Sequence, residues 1–148
     1  MAKGQDIVDR GLTQLKKPYI YGILVDKTDP DPDAFDCAEF ASWCLYQVTK
    51  ILYGTDQHSN PVTADAYTGY WLRDAEKLGK IIRVDQAKTI PGAFILRYGV
   101  PGLGGHIVIS DGKSGTVEAH SHVDGVIRGK VTSDRRFTHG ILVPGVEY

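Results

Sequence analysis

Cys37, His106, Glu118 and His120 are the residues whose types and spacing suit covalent hydrolysis. Asp36 stands immediately before Cys37, and apolar residues follow at Cys37, Phe40, Ala41, Cys44, Leu45, Val48 and Leu52. That is the i, i+3, i+4, i+7 stripe of a buried helix face, with Asp36 placed to cap its first turn. Cys37 therefore falls where the partial positive charge of the helix end lowers a thiol's pKa and favours the nucleophilic thiolate. Cys44 shares the stripe, but seven residues of helix separate the two cysteines by roughly 10 Å along the axis. That exceeds the ~7 Å within which a disulfide can form. Cys44 reads as core packing and Cys37 as the nucleophile.

A thiol nucleophile needs a base, and the base needs a third group to orient it. Of the histidines at 58, 106, 120, 122 and 139, His106 is best placed. Gly102-Leu103-Gly104-Gly105 precedes it and lets backbone and substrate approach closely before an apolar strand begins. Thr116, Glu118 and His120 alternate by two on a later strand and so share a face. A carboxylate or an imidazole can accept the second ring N–H, and spacing alone leaves Glu118 and His120 both open. His58, His122 and His139 read as structural or exposed.

No metal or cofactor is expected. Strand alternation sends the rings of His120 and His122 to opposite faces, and no Cys-x-x-Cys is present. The loop Asp26–Asp33, with four aspartates and two prolines, lacks the EF-hand spacing and reads as a solvated acidic loop.

The elements that must position these residues follow in order. A short amphipathic helix is expected over Asp6–Leu15, ended by Lys16-Lys17-Pro18, with Pro18 to Gly22 extended after it. The Cys37 helix comes next, then a polar, turn-rich stretch from Gly54 to Pro61. A second long helix is expected from Thr63 or Asp65 to Leu78, closed by Gly79. The period then changes to strands near Ala93–Tyr98, His106–Ser110, Thr116–Ser121, Gly125–Val131 and Gly140–Val143. A hairpin at Gly112–Gly115 joins the second and third. Helices first and an antiparallel sheet afterwards is an α+β layout.

The chain has 148 residues, a length that fits one domain with its own core. A net charge of −1 gives no electrostatic case for nucleic acid or an anionic membrane as partner. The first residues lack the apolar segment of a cleaved signal, and no apolar run is long enough to span a bilayer. Synthesis in the cytoplasm is the expectation.

Five ordered landmarks resemble the NlpC-type bacterial cell-wall peptidases. They are Pro18-Tyr19-Ile20-Tyr21-Gly22, Phe35-Asp36-Cys37-Ala38-Glu39-Phe40, Pro91-Gly92-Ala93-Phe94-Ile95, Gly105-His106-Ile107-Val108-Ile109 and Thr116-Val117-Glu118-Ala119. The resemblance implies a papain-like fold, N-terminal helices packed on a C-terminal antiparallel sheet of about five strands. It also implies cleavage of peptidoglycan stem peptides, often between D-glutamate and the diamino acid. Cys37 matches the nucleophile, His106 the base, and Tyr19 a tyrosine whose hydroxyl supports the site. Ala38 and Glu39 replace the family's usual serine and glycine.

Glu118 occupies the third position, twelve after the base, where many members carry histidine; His120 is the substitute. Glutamate followed two residues later by a polar group is similar to the cysteine/histidine-dependent amidohydrolase/peptidases. Some of those cleave the glycan–peptide amide, and some bind calcium just before the cysteine. The Asp-Pro-Asp-Pro loop resembles phage and prophage-associated members. These likenesses imply peptidoglycan or its peptide fragments as partner, with delivery after lysis or by a phage tail, a secretion apparatus or a separate targeting protein. An amidase, an effector isopeptidase and a non-catalytic wall-binding domain are the alternatives.

Overall fold

A computed structural model describes residues 1–148. Four helices, α1 Gly4–Leu12, α2 Cys37–Thr49, α3 Thr68–Leu78 and the one-turn α4 Val84–Ala87, accompany six strands. The strands are β1 Lys80–Ile82, β2 Phe94–Arg97, β3 His106–Ser110, β4 Gly115–Ser121, β5 Gly125–Lys130 and β6 His139–Leu142. A 3₁₀ turn at Ser133–Arg135 precedes β6. The sheet is antiparallel throughout, in the order β1-β6-β2-β3-β4-β5. The α+β expectation holds, with one more strand than expected. Three-residue β1 is too short to show a period, and its pairing with β6 makes it a strand.

The central strands are apolar at nearly every position because both faces of the sheet are covered. Phe94, Leu96, Ile107, Ile109 and Val117 face the main core with α1 and α2, while Ile95 and Val108 pack with Ala87 and Ala93 on the other side. In α2 the first nine residues, Cys37 to Leu45, are all buried. Burial of those residues beyond the apolar stripe forces the polar ones to find partners. Ser42 donates to the Tyr53 carbonyl at 2.7 Å and accepts from the Trp71 indole N–H at 3.1 Å.

Two helices are shorter than their apolar periodicity suggested. The first begins at Gly4 and stops at Leu12, and the third begins at Thr68, leaving Thr63–Tyr67 as a loop. In that loop Ala66 pairs with Thr55 in an antiparallel bridge, and its N–H donates to the buried carboxylate of Glu39. Tertiary bonding thus overrides a helical pattern there.

The acidic loop is pinned against the helices. Arg10 donates to the Pro30 carbonyl at 2.7 Å, and the Trp43 indole donates to the Asp29 carbonyl at 2.8 Å. Three of its four aspartates are engaged: Asp26 accepts from Thr28, Asp29 from the Asp31 N–H, and Asp31 pairs with Lys17. At the chain ends, Gly4 N–H donates to the Glu147 carbonyl and Glu147 N–H to the Ala2 carbonyl, each at 2.9 Å.

Candidate active site

Asp36 caps α2 as its position suggested, its Oδ1 accepting the Glu39 N–H at 2.8 Å. Cys37 is consequently the first residue of the helix, and its side chain meets a cleft of about 380 Å³. The walls include Tyr19, Gly22, Asp65, Thr68, Tyr70 and Gly105. Only 8% of Cys37 is exposed, and Cys44 lies wholly inside. Both are free thiols.

α2 packs across β3, so that Cys37 sits beside the start of the strand; the backbone N–H groups of Ile107, Ala38 and Cys37 all favour its ionised form. They do not prevail. Burial, with the Asp36 carboxylate next to it, pushes the thiol up to about 11. The expected ready thiolate is therefore a neutral thiol. Low polarity and the capping carboxylate outweigh the half-charge of the helix end. Burial likewise raises Asp36, to about 6.

His106 opens β3 and is nearly buried. The glycine before it is required sterically: a Cβ on Gly105 would stand 2.4 Å from Thr68 Oγ1 at the head of α3. The His106 ring is held from behind, Nε2 lying 2.9 Å from Glu118 Oε1. Burial opposes ionisation of Glu118, but hydrogen bonds from His106, Arg135 and Thr116 bring it down to about 2. An ionised carboxylate only accepts, so Nε2 carries the ring proton and Nδ1 is free to act as a base. Burial in turn lowers His106, with Glu118 pulling upward and Arg135 and Arg97 downward.

Between the two orienting candidates, Glu118 takes the ring N–H. His120 instead bonds Asp124 at 2.9 Å and meets the His106 ring edge-on, centroids 6.1 Å apart. The Tyr19 hydroxyl lies against the backbone N–H and thiol of Cys37, and its pKa is raised, first by burial and then by the charges of Cys37 and Asp36. All five residues singled out from the sequence thus gather at one end of α2. His58 pairs with Asp74 at 2.8 Å, away from this group. No cluster of three or more histidine, cysteine, aspartate or glutamate side chains suits a metal ion.

Sequence reasoning missed five contributing residues. Arg135 forks onto Glu118, Nη1 reaching Oε2 at 2.9 Å and Nη2 reaching Oε1. Glu39 and Lys27 form a fully buried pair at 2.6 Å. Glu39 also accepts the N–H groups of Val25, at 2.8 Å, and Ala66, at 2.5 Å, tying two cleft-side loops to α2. Asp65 and Thr68 line the cleft from a segment read as the start of the second long helix. The replacement of glycine by glutamate at 39 was the one available signal. A charged residue on a buried face requires a partner.

No protein-family model matches the chain, and no curated protein matches it significantly. Solved structures do. The NlpC/p60 domain of the peptidoglycan hydrolase SagA superposes with a TM-score of 0.67 at 24% identity, covering 96% of this chain and 100% of that one. NlpC2 from Trichomonas vaginalis gives 0.65 at 16%, covering 98% of this chain and 46% of that one. The peptidoglycan hydrolase RipB from Mycobacterium tuberculosis gives 0.65 at 20%, covering 98% and 65%. The chain spans the whole of the SagA domain but less than two thirds of the other two. At these identities the likeness is one of fold, and the fold is that of NlpC/p60 domains.

Proposed function

We propose that this chain is a cysteine hydrolase that cuts the stem peptides of bacterial peptidoglycan, at bonds of the γ-D-glutamyl–diamino acid type. One observation carries the reading. The thiol at the head of α2 opens onto a cleft beside a strand whose first residue, His106, has its ring proton held by an ionised carboxylate. The fold shared with the peptidoglycan hydrolases SagA and RipB supports the substrate class.

The reaction starts from a neutral pair. Nδ1 of His106 takes the Cys37 proton as the sulfur attacks the scissile carbonyl, so the ion pair forms only as charge moves to substrate. The oxyanion is met by the Cys37 backbone N–H with support from the Tyr19 hydroxyl. Imidazolium then protonates the leaving amine, which departs and leaves a thioester. Water, deprotonated by His106, hydrolyses the thioester, releasing the new carboxyl and restoring the thiol. Glu118 orients the ring throughout, and His120 with Asp124 flanks its outer edge.

The test is digestion of purified sacculi by wild type and Cys37→Ala, with released fragments weighed by mass spectrometry. Peptides cut within the stem, absent from the variant digest, are expected. Intact stem peptides would instead assign an amidase, and equal release by both proteins would remove the catalytic reading in favour of a wall-binding domain.

A further inference from the structure

The carboxylate behind His106 is shared. Oε1 of Glu118 accepts from both His106 Nε2 and Arg135 Nη2, while Oε2 accepts from Arg135 Nη1 and the Thr116 hydroxyl. A guanidinium matches two carboxylate oxygens at once, which an ammonium cannot do. Arg135 is itself braced. Its Nη1 also donates to the Lys130 carbonyl at 3.0 Å, and its own carbonyl accepts Arg97 Nη1 at 3.0 Å. Arg97 Nε in turn donates to the Gly104 carbonyl at 2.9 Å, on the wall of the cleft. An unbroken series of contacts therefore runs from the glycine-rich rim through two arginines to the imidazole.

We propose that Arg135 is a positioning residue for His106, resting on the assignment of His106 as the base. Its fork fixes the Glu118 carboxylate against the ring and takes up part of the negative charge, so the imidazole is held in place yet remains a neutral base. The groups facing the ring set this balance. Arg97 faces it from β2, Glu118 and His120 from β4, and Arg135 from the 3₁₀ turn, with Asp124 one step beyond His120 and Cys37 at the head of α2 beside the strand. Glu118 alone among them draws a proton onto the ring strongly, and Arg135 is the cation that competes for it.

NMR titration of the assigned His106 imidazole in the intact chain tests this without substrate. Arg135→Met is expected to raise the midpoint by about one pH unit, because Glu118 then acts on the ring undivided. Arg135→Lys keeps the charge and loses the fork. Its midpoint is expected to stay within a few tenths of wild type, while the Nε2–H proton, expected to exchange slowly in wild type, becomes fast-exchanging. An unchanged midpoint in the methionine variant overturns the proposal, as does wild-type exchange in the lysine variant. Should the methionine variant fail to fold, exchange in the lysine variant decides by itself. Because neither readout needs peptidoglycan, failure on sacculi and failure here are separate results.

Discussion

Two buried glutamates flank the cleft, and their surroundings give them opposite characters. Glu39, on α2, meets one ammonium, Lys27, and two backbone N–H groups; burial still pushes it up to about 7. Glu118, on β4, meets a guanidinium fork, an imidazole N–H and a hydroxyl, and is drawn down to about 2 despite burial. The supply of donors, and not depth, separates them. Every partner of Glu39 is itself buried scaffold: Lys27 has its remaining donors on the Val25 and Ala64 carbonyls. One partner of Glu118 is a ring with a free nitrogen. A buried charge reads as architecture when its network closes on itself, and as chemistry when the network leaves one atom open to a cleft.

The comparison breaks most visibly in turnover. Glu118→Gln is expected to lower peptide release roughly 10²–10⁴-fold, because the His106 ring loses the acceptor that fixes its tautomer, whereas Glu39→Gln changes it less than about tenfold. Equal losses in the two variants, measured on the same sacculi, would show that the distinction drawn between them is false.

Stability against pH sharpens it. Glu118 has a folded value of about 2, below its ordinary 4.5, so its contribution is present above pH 4.5 and is lost as pH falls toward 2. The size is about 3 kcal/mol. Glu39 is raised, so its contribution is complete below pH 4.5 and is lost as pH rises through about 7. Urea melts from pH 3 to pH 8 are expected to lose the acid-side fall in Glu118→Gln and the neutral-side fall in Glu39→Gln. Unaltered profiles would contradict both assignments.

The smallest effect lies at the head of α2. Asp36→Ala removes a helix cap worth about 1 kcal/mol, yet also removes the carboxylate that raises the Cys37 thiol. Urea melts are expected to show the lost stability. Iodoacetamide labelling of Cys37, slow at pH 7 in wild type, is expected to quicken. Slower labelling would mean that the cap supports the thiolate more than it opposes it.

What was legible in the sequence was local. Asp36 before an apolar stripe announced the cap, and glycines before His106 announced a close approach, later seen against Thr68. The alternation of Thr116, Glu118 and His120 placed all three on one face, and the structure keeps them there. What escaped was set by packing. Arg135 lies seventeen residues beyond Glu118, in a polar turn with no periodic signal, and meets it only because that turn folds against the sheet. The thiol's elevation has the same origin. A helix end is visible in a sequence, whereas the depth to which its first residue sinks depends on α2 lying across β3. Apolar periodicity overran the start of α3 because Ala66 bonds to Glu39 and Thr55 in preference to its own helix.

The stitching of Ala2 and Gly4 to Glu147 has a practical corollary. Both ends of the polypeptide leave at a single point, so the molecule can ride as a cassette within one surface loop of a carrier protein. By the same geometry, a short splice across that seam, with new ends opened at the Lys113 hairpin, would yield a circular permutant whose Cys37 cleft is undisturbed.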